Sequence, residues 1–131
     1  MNLLFRVCLL FLLAFYTGLL GDSEDLIPPK VISTIPENGS QTVDPNLNEI
    51  VIVFNEPMLD QSWSWAYKDP KLFPKLNGQP KYDSNRTKNL LPVKLEPNKQ
   101  YEIWLNTEQF QNFRDKAGNP LVPYVLKFKT K

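Results

Sequence analysis

Glu56 stands in the run Phe54-Asn55-Glu56-Pro57-Met58, where a carboxyl group could act as a general acid. Glycoside hydrolysis needs an opposed pair of carboxyl groups, and spacing ties no second one to Glu56. Asp115 and Asn119 bracket Lys116-Ala117-Gly118 and could present oxygens to Ca²⁺. Calcium takes six to eight oxygen ligands, and this loop offers two obvious side-chain donors. An Asx-type turn with Gly118 at positive φ accounts for the same residues without metal. The chain has no histidine and one cysteine, Cys8. That excludes Ser-His-Asp triads, Cys-His nucleophiles and zinc sites built on Cys and His. The expectation is a protein with no catalytic residue, no metal and no cofactor.

The aromatic residues carry the remaining chemical potential. Trp63, Trp65 and Tyr67 alternate with Ser62, Ser64 and Ala66, so one face of that segment is very large and the other small. The large face is either core, as in sandwiches that bury a tryptophan on their third strand, or a platform for sugar rings or an apolar partner. Trp63 and Trp65 share a face and must be buried or exposed nearly together; the expectation leans to core. Trp104 sits between Ile103 and Leu105, which claim the interior, so it should point outward with Glu102 and Asn106. Trp104, Trp65 and Trp63 are the candidate binding residues.

The elements that must position these groups are strands. Twelve prolines are spread along the chain, and an interior proline costs a helix about 3 kcal/mol. The proline-free window 98–119 opens with strand-like alternation at Tyr101, Ile103 and Leu105 and closes in turn chemistry at Asp115-Lys116-Ala117-Gly118-Asn119. Only a short helical turn over 107–114 fits between them, with Asn106 as cap and Phe110 and Phe113 on one face. Elsewhere the period is two. Ile50, Ile52 and Phe54 point one way, and Leu91, Val93 and Leu95 alternate with Leu90, Pro92 and Lys94. Val122, Tyr124, Leu126 and Phe128 alternate with Pro123, Val125, Lys127 and Lys129. With shorter pieces at 30–35, 63–67 and near Tyr82, about seven antiparallel strands result, the pattern of an all-β, immunoglobulin-like sandwich. Leu95-Glu96-Pro97, followed four residues later by Tyr101, suggests a tyrosine corner, in which the hydroxyl bonds back to upstream backbone.

Four stretches in order resemble the bacterial Ig-like domains of the SbsA (S-layer protein) type. Residues 31–39 resemble the opening strand and turn, and residues 50–58 the strand that ends in Phe54, Glu56, Pro57 and Met58. Residues 95–105 resemble the tyrosine-corner strand, and residues 115–121 with 128–130 the closing turn and strand. The resemblance spans nearly all of 30–131. It implies a β-sandwich used as an accessory or spacer module in cell-surface and secreted bacterial proteins, with no catalytic residues. Phe54, Pro57, Tyr101 and Gly118 are then structural positions. Two features depart from the family pattern: only one such domain is present, and 61–82 is unusually aromatic.

At the N-terminus, Arg6 precedes an uncharged, mostly apolar run from Val7 to Gly21. An early positive charge before a short apolar stretch describes a signal peptide. Leu19 is large where a small residue is preferred before cleavage, so 1–21 is read as a signal peptide or an uncleaved anchor, 22–29 as a linker and 30–131 as the domain. Removing 1–21 removes Arg6 and leaves basic and acidic residues equal in number. No basic patch offers itself to nucleic acid, and contact with a membrane would come only through an uncleaved N-terminal segment. The expected location is exported: periplasmic, extracellular or cell-surface. The expected role is a non-catalytic binding or adhesion module of the envelope with a protein partner; the alternatives are a glycan ligand held by exposed aromatics and a passive structural component.

Overall fold

The computed structural model describes residues 23–131. The segment read as signal peptide or anchor, with Arg6 and Cys8, lies outside the described residues. Eight strands follow one another among the described residues: β1 (Val31–Ile35), β2 (Glu49–Phe54), β3 (Trp65–Ala66), β4 (Lys75–Leu76), β5 (Lys81–Tyr82), β6 (Lys88–Lys94), β7 (Gln100–Leu105) and β8 (Tyr124–Lys129). β3, β4 and β5 have only two residues each, and β4 is the one strand beyond the seven expected.

All pairings between these strands are antiparallel, and they build two sheets. One runs β1-β2-β6-β4, with β5 also paired to β6; the other runs β3-β7-β8. Each long strand turns alternate residues into the space between the sheets. Ile50, Ile52 and Phe54 of β2, Leu91 and Val93 of β6, Tyr101, Ile103 and Leu105 of β7, and Leu126 and Phe128 of β8 meet there, nearly inaccessible to water. This is the all-β, immunoglobulin-like sandwich that the period-two pattern predicts.

The tyrosine corner is formed. The Tyr101 hydroxyl accepts a hydrogen bond from the backbone N–H of Glu96 at 2.8 Å, and the ring stacks on Phe128 with centroids 5.2 Å apart. Phe54 packs on Phe113 at 5.6 Å. Pro57 is exposed at the end of the β2 run.

Three local expectations are corrected. Residues 107–114 contain no helical turn. Asn106 adopts φ 61° instead of capping a helix, and its amide bonds Phe113 N–H, Phe113 C=O and Leu121 C=O inside the fold. It is therefore fully buried and does not face outward with Glu102 and Trp104. Positive φ breaks the strand alternation, and the three bonds offset the desolvation of the amide. Phe110 and Phe113, spaced as if on one helical face, part company: Phe113 is core and Phe110 is exposed. The helical piece forms elsewhere, as a 3₁₀ turn over Pro70–Leu72 started by Asp69, whose carboxylate accepts from Lys71 N–H. Proline suits a first helical position because its missing donor would be unsatisfied there anyway. Val122 is the third correction. It precedes β8, stays exposed, and does not share the buried face of Leu126 and Phe128.

Candidate functional site

Trp65 packs against the core. It pairs in register with Leu105, so its ring turns inward, edge-on to Phe113 at 5.6 Å. Its indole N–H donates to Asn89 Oδ1 at 2.9 Å, and Asn89 is fully buried. Trp63 leans on Tyr82 at 6.0 Å, and the Tyr82 hydroxyl donates to Ser62 C=O at 2.8 Å. Both tryptophans are half-buried and pack against the core. They share one fate, as their common face requires, and that fate lies between core and surface because β3 is a short edge strand. Tyr67 departs from them: it is exposed and its ring lies tilted against Phe73 at 5.4 Å.

Around these rings the sandwich is open. A groove of about 600 Å³ runs between the β3 and β4 edges, with Trp63, Trp65, Tyr67, Phe73, Leu76 and Phe110 among its lining residues. That volume is in the range of small-ligand pockets. Ser64, Gln79 and Asn112 supply its polar atoms.

Trp104 is partly exposed but is not among the lining residues. It pairs with Ala66 on the outer side of the three-stranded sheet. The Lys68 ammonium sits 4.0 Å above its ring, and Glu102 accepts its N–H at 3.0 Å. Lys127 lies 3.8 Å from the same carboxylate. Its own neighbours thus occupy the ring face and the N–H that a sugar would need. The three tryptophans do not form one platform.

The Asp115 loop is the turn that its residues describe. Gly118 has φ +90°, its N–H bonds Asp115 C=O at 3.0 Å, and Asn119 donates from backbone and side chain to the Asp115 carboxylate at 2.9 Å. Sequence spacing misses what lies beside it. The bridge between Met58 and Asp115 brings Asp115 to Glu56, and Asp25 completes a trio of carboxyl groups with ligand atoms within 4.8 Å of one another. Asn119 ties this end down by donating to Asp25 C=O at 2.9 Å. Loss of hydration, then a hydrogen bond and repulsion from Asp115, push Glu56 up to about 7 from an ordinary 4.5. Burial would raise Asp115 too, but hydrogen bonds from Asn119, Glu56 and the Ala117 backbone together outweigh it and hold that carboxyl below its usual range. One protonated and one ionised carboxyl group side by side is the low-energy state of such a pair. The trio could give three oxygens to a divalent cation, half or less of a calcium shell.

A second surface stands out on the five-stranded sheet. Its outer side carries Ile35, Val51 and Leu90 in one cross-strand row, Ser33, Val53 and Lys88 in the next, and Glu49 with Pro92 on the other flank. Ile32 and Ile35 are exposed and the other apolar members are half-buried. Outer faces of antiparallel sheets are ordinarily polar; here the centre is apolar and the charges stand at the rim.

A family model described as bacterial Ig-like domain matches residues 25–130. Two solved structures of the S-layer protein SbsC resemble the fold, each with 17% sequence identity over 80% of this chain, with TM-scores of 0.48 and 0.49. This chain spans only 14% of either of them. No curated protein sequence matches it.

Proposed function

The chain belongs to the bacterial Ig-like domain family, and from that premise we propose that it is an exported, non-catalytic binding or adhesion module of the cell envelope that works through protein contacts. The observation that carries this reading is the apolar outer face of the five-stranded sheet, where Ile35, Val51 and Leu90 adjoin in one cross-strand row with Val53 and Pro92 in the rows beside it. Contiguous exposed apolar surface with a polar rim is the mark of an interaction site. The Arg6-led apolar segment supports export. Subcellular fractionation tests the address: the protein should be found outside the cytoplasm, with its mature start near Asp22 or with the segment retained in a membrane. A soluble cytoplasmic form that keeps Met1 would refute it.

The groove between β3 and β4 favours a second reading, a carbohydrate or other small ligand bound against Trp63, Trp65 and Phe73. Affinity electrophoresis in envelope polysaccharides tests this. Retardation that Trp63→Ala abolishes supports the groove, and unretarded migration in every glycan counts against it.

A further inference from the structure

Resting on the second reading above, in which the groove takes a glycan, we propose that the ligand is an acidic polysaccharide. Its sugar rings lie on the aromatic side chains, and its carboxylate or phosphate groups bind Lys75 and Lys94.

The aromatic groove does not stand alone. Tyr67 and Phe73, with ring centroids 5.4 Å apart, line it and also a second groove of about 610 Å³ that reaches Tyr101. The two grooves meet at this pair of rings. In the first, Trp63, Trp65 and Phe73 offer apolar ring surface, and Gln79 and Asn112 are exposed beside them. Trp65 has its N–H on Asn89, so its ring alone faces a ligand. A pyranose ring suits such a lining, with its C–H faces on the aromatics and its hydroxyls toward the amides.

The second groove is cationic. Lys75, Lys94 and Lys99 line it, and Glu96 is the one acidic residue among its described lining residues. Lys99 holds the Glu96 carboxylate at 3.2 Å. Asp69 and Lys71 flank Pro70 on the 3₁₀ turn and cancel in charge. Lys75 and Lys94 remain. They are exposed and stand directly opposite one another across β4 and β6. Side chains so placed have Cβ atoms about 4.5–5.5 Å apart, and like charges there destabilise the pair. Glu49, opposite Pro92, is a diagonal neighbour of Lys94. Among the described residues no ion pair includes Lys75 or Lys94; the ion pairs present hold Lys99 and Lys127. One lysine on an edge strand discourages pairing with another sheet, and Lys75 on β4 meets that need. Lys94 lies on β6, which is paired on both sides, so edge protection does not account for it. An anionic group between the two ammoniums relieves their repulsion. A neutral glycan would use only the rings, and a bare polyanion only the lysines; an acidic glycan uses both.

Tryptophan fluorescence reads occupancy, because Trp63 and Trp65 line the groove. The full chain, recovered from cells, is titrated at low salt with oligogalacturonate and with its methyl ester, which keeps the sugar chain and loses the charge. Phosphomannan beside neutral mannan makes the same comparison for phosphate. Polyphosphate and poly-glutamate supply charge without sugar. At least one acidic chain should bind roughly tenfold more tightly than its neutral counterpart, about what two exposed ion pairs supply, and the acid that does so identifies the group. Lys75→Gln with Lys94→Gln should remove that advantage, and Lys75→Arg with Lys94→Arg should keep it. Tyr67→Ala should weaken acidic and neutral chains alike. Equal binding of acidic and neutral chains overturns the proposal and leaves the glycan reading standing. Failure of every glycan to bind overturns both. An acidic preference that survives both glutamines overturns the assignment to this lysine pair. Polyphosphate or poly-glutamate binding as tightly as the acidic glycans overturns the proposal in favour of a bare charge site or an acidic protein segment.

Discussion

Replacing Tyr101 with phenylalanine removes one oxygen from the corner that pins the entry of β7. The ring is almost wholly buried, stacks on Phe128 at 5.2 Å and has the Lys99 ammonium 5.2 Å from its centre. All of that survives in Tyr101→Phe, so no cavity opens and the apolar transfer term is unchanged. What disappears is the acceptor for Glu96 N–H at 2.8 Å. Glu96 C=O is held separately by the Thr130 hydroxyl at 2.6 Å, so the loop keeps one of its two ties. A neutral hydrogen bond is worth about 0.5–1.5 kcal/mol net, and an abandoned buried donor costs about 1–3 kcal/mol. Glu96 itself is exposed, so water can reach the freed N–H and the lower range applies. The expected loss is about 1 kcal/mol, or roughly 4–6 °C in Tm for a domain of this size. Urea unfolding followed by tryptophan fluorescence reads it, with an unchanged slope because the native surface is the same. A midpoint equal to that of the parent protein would refute the corner as a stabilising element. A changed slope would show that the substitution alters more than one bond.

Other expectations follow from the same geometry. Trp65→Ala should cost several kcal/mol, up to about 3–5 for full burial, because it empties the contact with Phe113 and leaves Asn89 Oδ1 without its donor; Trp104→Ala, on the outer side, should cost about 1 kcal/mol or less in the same denaturation assay. Gly118→Ala has open space for its methyl group but must hold φ +90°, which penalises any side chain, so a loss of about 1–2 kcal/mol is expected. Glu56 is raised to about 7 in the folded state, so the native protein binds its proton more tightly than the unfolded chain does. Its contribution is complete below about pH 4.5 and fades as pH rises through about 7. Glu56→Gln should therefore flatten that decline and leave the protein on the order of 1 kcal/mol more stable at pH 8, measured as Tm across the pH range; a steeper decline in the variant would reverse the assignment.

Most of the sandwich was legible because β2, β6, β7 and β8 each have one face in the core, and burial on one face enforces period two. Asn106 and residues 107–114 were not legible. Phe110 and Phe113 have helical spacing, but the segment is organised by hydrogen bonds from Asn106 to Phe113 and Leu121, which no local pattern announces. The carboxyl trio was hidden for a related reason: Glu56, Asp115 and Asp25 are distant in sequence and meet only through the Met58–Asp115 bridge and the tether from Asn119. The aromatic segment was half legible. Its alternation gave the shared face of Trp63 and Trp65, while their intermediate burial depends on the open edge between β3 and β4. The outer face did leave a signal. Ile50-Val51-Ile52-Val53-Phe54 is apolar at every position, where a strand with one wet face would alternate.

The claim that this module works through protein contacts on the outer sheet face is tested most directly by site-specific photo-crosslinking in living cells. A photoreactive residue replaces Val53 in one strain and Ser84 in another. The account predicts a discrete protein adduct from position 53 in the envelope fraction, resistant to glycan-degrading enzymes, and none from position 84. Position 53 remaining free of any protein adduct, in a chain that is exported and folded, would contradict it.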